Sequence, residues 1–267
     1  MTDLHIGLVL PDVLGTYGDD GNALVLRQRA RMRGITAEIH RITLADAVPE
    51  FLDVYTVGGG EDVAQILAAD HLRTDGGIVR AAEAGRPVLA ICAGLQVFGR
   101  SFPADGREGE GRGLRDATTA QLQHRMIGEL KSAPSAPGFG IPGDDTALVE
   151  PLTGFANHQG ATILGRDDTP LGYVLDGTGN TDPHAALTAG LSIEEGKKQV
   201  YYEGAVQGSV IATYMHGPVL ARNPQLADLL LARATGQPVA ELPPLTGDFA
   251  VQLDAEVEQL RSERLKA

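Results

Sequence analysis

PVLAICAGLQVFG, residues 87–99, runs from an apolar segment through Cys92 into a helical pattern. The apolar part, Pro87 to Ile91 behind Gly85, has the length of a buried strand, whereas the following LQVFG has helical spacing. Cys92 therefore stands on a strand-to-helix turn, and the small Ala93 and Gly94 let the backbone bend sharply there. The amides at the start of the new helix point towards the sulfur, and their partial positive charge favours an anion at that place. Cys92 is the single cysteine of the chain. A lone intracellular cysteine is usually an inert core residue, and it is the turn that marks this one as a candidate nucleophile.

Moving outward, residues 4 to 10 (LHIGLVL) form a buried-strand pattern and residues 22 to 33 (NALVLRQRARMR) a helix that stops at Gly34. ITAEIHRI (35–42) alternates as a strand does, FLDVYTV (51–57) predicts another strand, and the polar, Ala-rich residues 61 to 84 predict helix. Strands alternating with helices imply a parallel α/β sheet covered on both faces. Past residue 120 the pattern changes to short β-like runs at 148–155, 161–164, 171–175, 199–206 and 209–214, separated by Gly-, Asn- and Asp-rich turns. These predict antiparallel additions in the C-terminal half. SAPSAPGFGIPGDD (132–145) has little to pack and is expected to be an insertion, residues 222 to 235 a helix, and residues 248 to 266 a charged terminal helix. The expected division is a main domain over 1–240 with a helical extension over 241–267, without internal repeats.

The 267 residues, 43% of them apolar, suffice for a substantial core. Lys and Arg number 22 against 35 Asp and Glu, a formal charge of −13, which disfavours nucleic acid and anionic lipid as partners. One cysteine allows no intramolecular disulfide, and MTDLHIGLVLPDV lacks the basic start and long apolar run of a secretory signal. No apolar stretch reaches the roughly 20 residues needed to cross a bilayer. A cytoplasmic setting is expected.

Two further segments carry candidate chemistry. Gly58-Gly59-Gly60-Glu61-Asp62 also follows a strand and opens a helix. Three glycines bring backbone N–H groups close to a ligand, as an oxyanion hole requires, although such loops serve phosphates and plain packing equally well. His216, in YMHGPVL directly after the apolar SVIATY, lies at a strand end followed by a turn, where an imidazole could draw a thiol proton.

Cys92-Ala93-Gly94-Leu95-Gln96 resembles the C-x-G-x-Q elbow of class I glutamine amidotransferases, and GGGEDVAQ with YMHGPVL resembles their cobyric-acid-synthase-like branch. Within it the chain is most similar to the GatD group, through HRMIGEL (124–130), GFANHQGAT (154–162) and YMHGPVLARNPQLADLLL (214–231), in order over nearly the whole length. The resemblance implies the class I amidotransferase fold, with Cys92 attacking the glutamine side-chain amide and His216 moving the proton. Gly60 and Ala93 N–H groups would hold the oxyanion, while Gln96 and Arg125 match substrate-holding positions, Arg125 being suited to the α-carboxylate. No metal or cofactor is implied in this chain.

Triad amidotransferases commonly carry Glu two residues after the histidine, but here Pro218 stands there. The cobyric-acid-synthase-like branch shares this gap, so either a dyad works alone or an acid from a distant segment or from the partner completes it; the expectation is a Cys–His dyad, with no carboxylate of this chain bonded to His216. The chain also has no G-x-x-x-x-G-K-[ST] phosphate loop, so activation of an acceptor carboxylate falls to another chain. The GatD resemblance implies a heterodimer with a MurT-like ATP-dependent Mur ligase that amidates the D-glutamate of lipid II in peptidoglycan synthesis. The alternatives are an amidotransferase subunit for another acceptor such as a cobyrinate-like substrate, a non-catalytic scaffold of the same fold, and a cysteine peptidase on a related fold.

Overall fold

Short apolar runs form strands here because each is buried on both faces. In the computed structural model, which describes residues 3–136 and 148–266, β3 (Val54–Val57) and β4 (Val88–Ile91) are buried at every position. They pair in parallel with each other, β3 pairs with β1 (Leu4–Val9), and β1 with β2 (Ala37–Ile42). On the other side β4 pairs in parallel with β12 (Val210–Thr213), and β11 (Ala205–Gln207) closes that edge antiparallel to β12. The order is therefore β11-β12-β4-β3-β1-β2. All five parallel strands end on one side of the sheet, and that is where the loops carrying the candidate residues emerge.

Helices α1 (Gly21–Met32), α2 (Asp62–Asp75) and α3 (Gly77–Glu83) connect these strands, and α4 (Ala93–Val97) follows Cys92. The helix expected over 61–84 is two helices, because Gly76 takes a left-handed φ of +70° and ends the first. Gly77 then passes so close to Val48 that an added Cβ would lie 2.0 Å from its carbonyl oxygen.

The antiparallel strands mostly form a sheet of their own: β5 (Ser101–Ala104), β6 (Arg107–Glu110), β7 (Ala117–Pro134), β8 (Leu152–Leu164), β9 (Gly172–Asp176), β10 (Tyr202–Glu203) and β13 (Met215–His216). The 18-residue β7 shows no apolar run in the sequence because one of its faces is largely exposed. It pairs with β8 and, at its end, with β9, so Ser132 to Pro134, expected at the start of an insertion, are strand, and the rest of that expectation from residue 137 onward lies outside the described residues. The runs at 148–155 and 161–164 belong to one strand, β8, which begins at Leu152. The polar and glycine residues between them read as a turn in the sequence but are the part of β8 that crosses the candidate site. Gln199 and Val200, expected in a strand, complete helix α6 (Ile193–Val200), which a Ser192/Glu195 capping box starts, after α5 (Pro183–Thr188).

The chain ends in α7 (Val219–Arg222), α8 (Pro224–Thr235) and α9 (Asp248–Lys266). Buried Arg261 ties α9 down, donating to the carbonyls of Arg222 and Pro151, to Asn223 Oδ1 and to Glu150.

Candidate active site

Strand β4 delivers Cys92 in a strained conformation, φ +51° and ψ −103°, a region that a non-glycine residue occupies only at a cost of order 1–3 kcal/mol. The neighbours that hold it there are identifiable. The Cys92 N–H donates to Thr213 O at 2.9 Å on β12, and the Gln96 N–H returns to Cys92 O at 3.1 Å as α4 begins. Gly94 sits so near the end of β3 that a Cβ would stand 3.1 Å from Val57 O and 3.2 Å from Gly58 O. A larger residue would push the elbow off the sheet.

His216 is buried on β13, where pairing with Phe155 of β8 sets its position. Its Nδ1 lies 3.0 Å and 3.1 Å from the two carboxylate oxygens of Asp19, itself buried. Asp19 is fixed in turn, because one of its oxygens accepts the Gly59 N–H at 2.9 Å. Gly59 measures how tightly these groups converge: a Cβ there would be 3.1 Å from Asp19 Oδ2, 3.1 Å from His216 Cε1 and 3.3 Å from Cys92 Cβ. The carboxylate fixes the proton on Nδ1, which leaves Nε2 free to face the sulfur. Nε2 is buried without a partner at ordinary hydrogen-bond range, a looseness common in sites without substrate. Burial alone would lower the imidazole pKa, but Asp19 and Cys92 outweigh it and raise it to about 10.

The expected Cys–His dyad without an internal acid is therefore corrected. The acid comes from the loop after β1, 197 residues from His216, rather than from two residues downstream. Pro218 excluded only the local position. The signal that could have found Asp19, and was not used, is the loop GTYGDDGN (15–22), rich in Gly and Asp after the first strand.

A cleft of about 760 Å³ opens over Cys92 and is also lined by Gly60, Ala93, Gln96 and Arg125, so five of the six site residues named from sequence share it. The sixth, His216, is not among the lining residues but approaches Gly59 together with Cys92. The Gly59 N–H is committed to Asp19, whereas no hydrogen bond of the Gly60 N–H is found among the described residues. Ala93 is the first residue of α4, where N–H groups lack intrahelical partners. The Gln96 amide is held at both ends, accepting from Gln65 Nε2 at 2.8 Å and donating to Tyr214 OH at 3.2 Å. Gly160 of β8 makes room for this pair, since a Cβ would lie 2.3 Å from Gln96 Nε2.

Arg125 is exposed and belongs to a bulge in which β7 shifts register against β8 between Gln121 and Met126. It donates to Asn157 Oδ1 at 2.6 Å and to Tyr17 OH at 3.1 Å. Tyr17 also leans on His216, ring centroids 4.9 Å apart, and so links the arginine to the loop that carries Asp19. His158, stacked on Tyr214 at 3.7 Å, donates from Nδ1 to Gly160 O, and burial lowers its pKa to about 4. It is a neutral acceptor in the cleft wall. Tyr17, Gln65 and His158 were not singled out from sequence, because they come from the loop after β1, from α2 and from β8, which only the tertiary structure brings together at the elbow.

Residues 5–224 match the CobB/CobQ-like glutamine amidotransferase domain. The chain belongs to that family. This amidotransferase is 32% identical over 237 residues to the subunit GatD of lipid II isoglutaminyl synthase (glutamine-hydrolyzing) from Staphylococcus aureus, covering 88% of this chain and 85% of the relative. It is 33% identical to the corresponding Streptococcus pneumoniae subunit, over 86% of this chain and 80% of that one. A cobyric acid synthase from Photorhabdus laumondii is 28% identical over 74% of this chain, which spans 35% of that relative. A crystal structure of a glutamine amidotransferase superposes with a TM-score of 0.50 at 16% identity, covering 86% of this chain and 98% of the other, which agrees with the amidotransferase fold. No helix among the described residues is long and apolar enough to cross a membrane.

Proposed function

We propose that this amidotransferase hydrolyses L-glutamine through a thioester on Cys92 and supplies the ammonia to a MurT-like ATP-dependent ligase, its partner in a heterodimer, which amidates the D-glutamate of lipid II. The observation that carries the chemistry is the convergence of Cys92, His216 and Asp19 around Gly59 at the wall of an open cleft. The acceptor rests on the two GatD relatives, which match over most of both chains.

In this mechanism the proton drawn from the Cys92 thiol already rests on His216 Nε2, as the raised imidazole pKa favours, and the sulfur attacks the side-chain carbonyl carbon of glutamine. The carbonyl oxygen becomes an oxyanion held by the Gly60 and Ala93 N–H groups. The imidazolium, steadied by Asp19, returns the proton to the leaving nitrogen, and ammonia departs as the C–N bond breaks. Water, deprotonated by the same imidazole, attacks the thioester, the C–S bond breaks, and glutamate and the free thiol are restored. Arg125 pairs with the α-carboxylate of glutamine, and Gln96 aligns the side chain beside the sulfur.

The test is glutaminase activity of the purified chain, alone and with a MurT-like ligase, ATP and lipid II. Cys92→Ala should abolish glutamate release and glutamine-dependent amidation while leaving circular dichroism unchanged. Glutamate release persisting in Cys92→Ala would overturn the mechanism. Hydrolysis with no transfer to lipid II, but transfer to a cobyrinate-type acceptor with another ligase, would reassign the acceptor and keep the chemistry.

A further inference from the structure

We propose that His5, Glu38 and His40 form a binding site for a borderline divalent cation, zinc above all, at the opposite end of the parallel sheet from Cys92. His5 lies near the start of β1, and Glu38 and His40 lie on the adjacent β2. The parallel register places His5 opposite Glu38 and Gly7 opposite His40. Residues two apart on a strand share a face, so Glu38 and His40 project together, beside His5. The potential ligand atoms of the three side chains all lie within 4.8 Å of one another, and among the described residues no other group of three or more His, Cys, Asp or Glu side chains does this.

The arrangement of the two imidazoles is the decisive feature. His5 Nδ1 and His40 Nε2 face each other at 2.9 Å, with ring centroids 5.0 Å apart. One nitrogen must donate a proton that the other accepts, so an N–H and a lone pair, each lying in its ring plane, point into the same small space. Two nitrogens on a tetrahedral zinc, each at about 2.0–2.1 Å, stand about 3.3 Å apart. The rings need to open by only some tenths of an ångström, and the donor imidazole switches tautomer, its proton moving to its other ring nitrogen by exchange with solvent, so that two neutral imidazoles present lone pairs to the cation. Glu38 is exposed and its long side chain can swing onto the metal, while water completes the fourth position.

The backbone beneath is rigid. His5 N donates to Asp53 Oδ2 at 2.8 Å, and β1 is bonded on both sides, to β2 and β3. Two imidazoles and one carboxylate select zinc, cobalt or nickel over magnesium or calcium, which prefer all-oxygen sets. The site lies at the amino end of β1, whereas Asp19 follows its carboxyl end, so a bound ion would pin β2 to β1 without touching glutamine chemistry. The chain's net charge of −13 adds a general attraction for cations.

The experiment uses the full chain, free of any affinity tag, with Cys92→Ala as background so that the cysteine and its histidine cannot capture the probe. Zinc chloride is titrated by calorimetry, and thermal unfolding is followed with and without zinc. One equivalent should bind and raise the midpoint of unfolding. His5→Gln and His40→Gln should each weaken binding at least tenfold and remove the zinc-dependent shift, with unchanged unfolding in the absence of metal. Magnesium chloride should produce neither effect. Cobalt(II) should give the visible spectrum of a low-coordinate nitrogen and oxygen site that is lost in His40→Gln. No stoichiometric zinc binding, or binding unchanged in the His5→Gln/His40→Gln double variant, would overturn the proposal. Glutaminase activity of the same two variants on the native Cys92 background should stay at the parent level, which separates this site from the proposed catalytic one.

Discussion

At the scale of single residues, Asp19 decides how His216 works. An imidazole whose Nδ1 proton is fixed by a buried carboxylate presents its other nitrogen to the sulfur and is stabilised once it becomes cationic. Asp19→Asn removes the charge, and the amide can turn its NH₂ towards Nδ1 and favour the wrong tautomer. A fall in kcat on the order of 10²- to 10⁴-fold is expected, with KM for glutamine little changed. A kcat within twofold of the parent would make the Asp19 contact purely structural. Arg125 acts on the other parameter. It is exposed and makes only side-chain contacts to Asn157 and Tyr17, so Arg125→Ala should leave the unfolding midpoint nearly unchanged. Loss of one charge-assisted pair with substrate costs roughly 1.5–3 kcal/mol, which predicts a ten- to hundredfold rise in KM for glutamine. An unchanged KM in steady-state assays would remove Arg125 from the substrate site.

Among the elements, β12 does the most to hold the elbow, since its Thr213 carbonyl receives the Cys92 N–H. The Thr213 hydroxyl in turn donates to Glu203 on β10, a fully buried carboxyl whose second oxygen has no close partner. Burial pushes the Glu203 pKa up to about 7 despite the hydrogen bonds from Thr213 and its neighbours. The folded protein therefore holds a proton that the unfolded chain gives up near its ordinary value of 4.5. The stabilisation from this group is fully present below that value and is lost as pH rises through about 7. Glu203→Gln keeps a neutral hydrogen-bonding group, so it should flatten the decline and exceed the parent by on the order of 1–3 kcal/mol at about pH 8. Urea unfolding of both proteins between about pH 5 and pH 8 reads this directly, and parallel curves would show that Glu203 does not titrate there.

For the molecule as a whole, the proposed catalytic groups lie together within one chain, Cys92 and Asp19 on turns after parallel strands and His216 on β13. A partner is not needed to supply the acid for His216. The isolated chain is thus expected to release glutamate from glutamine measurably, and addition of a ligase to raise the rate by closing or ordering the open cleft rather than by completing the catalytic set. Stopped assays with and without ligase test this, and an isolated chain wholly inactive until the partner binds would show that the arrangement around Gly59 is not yet competent.

Much of this was legible beforehand, and for local reasons. The strand-to-helix turn at Cys92, the buried runs at Leu4–Val9, Val54–Val57 and Val88–Ile91, and the small residues at the elbow announce themselves because burial and backbone strain restrict residue type at those positions. Gln96 and Arg125 were named only through the family resemblance of their motifs, and His216 through its place at a strand end together with that resemblance. Their meeting in space could not be read that way. β7 escaped notice because an exposed face carries no apolar signature, and β8 looked broken because its central glycine and polar residues answer to the cleft they line rather than to strand propensity. Asp19 shows the limit most clearly: sequence spacing constrains neighbours along the chain, but a hydrogen bond across 197 residues is decided by which strand ends the sheet order brings side by side.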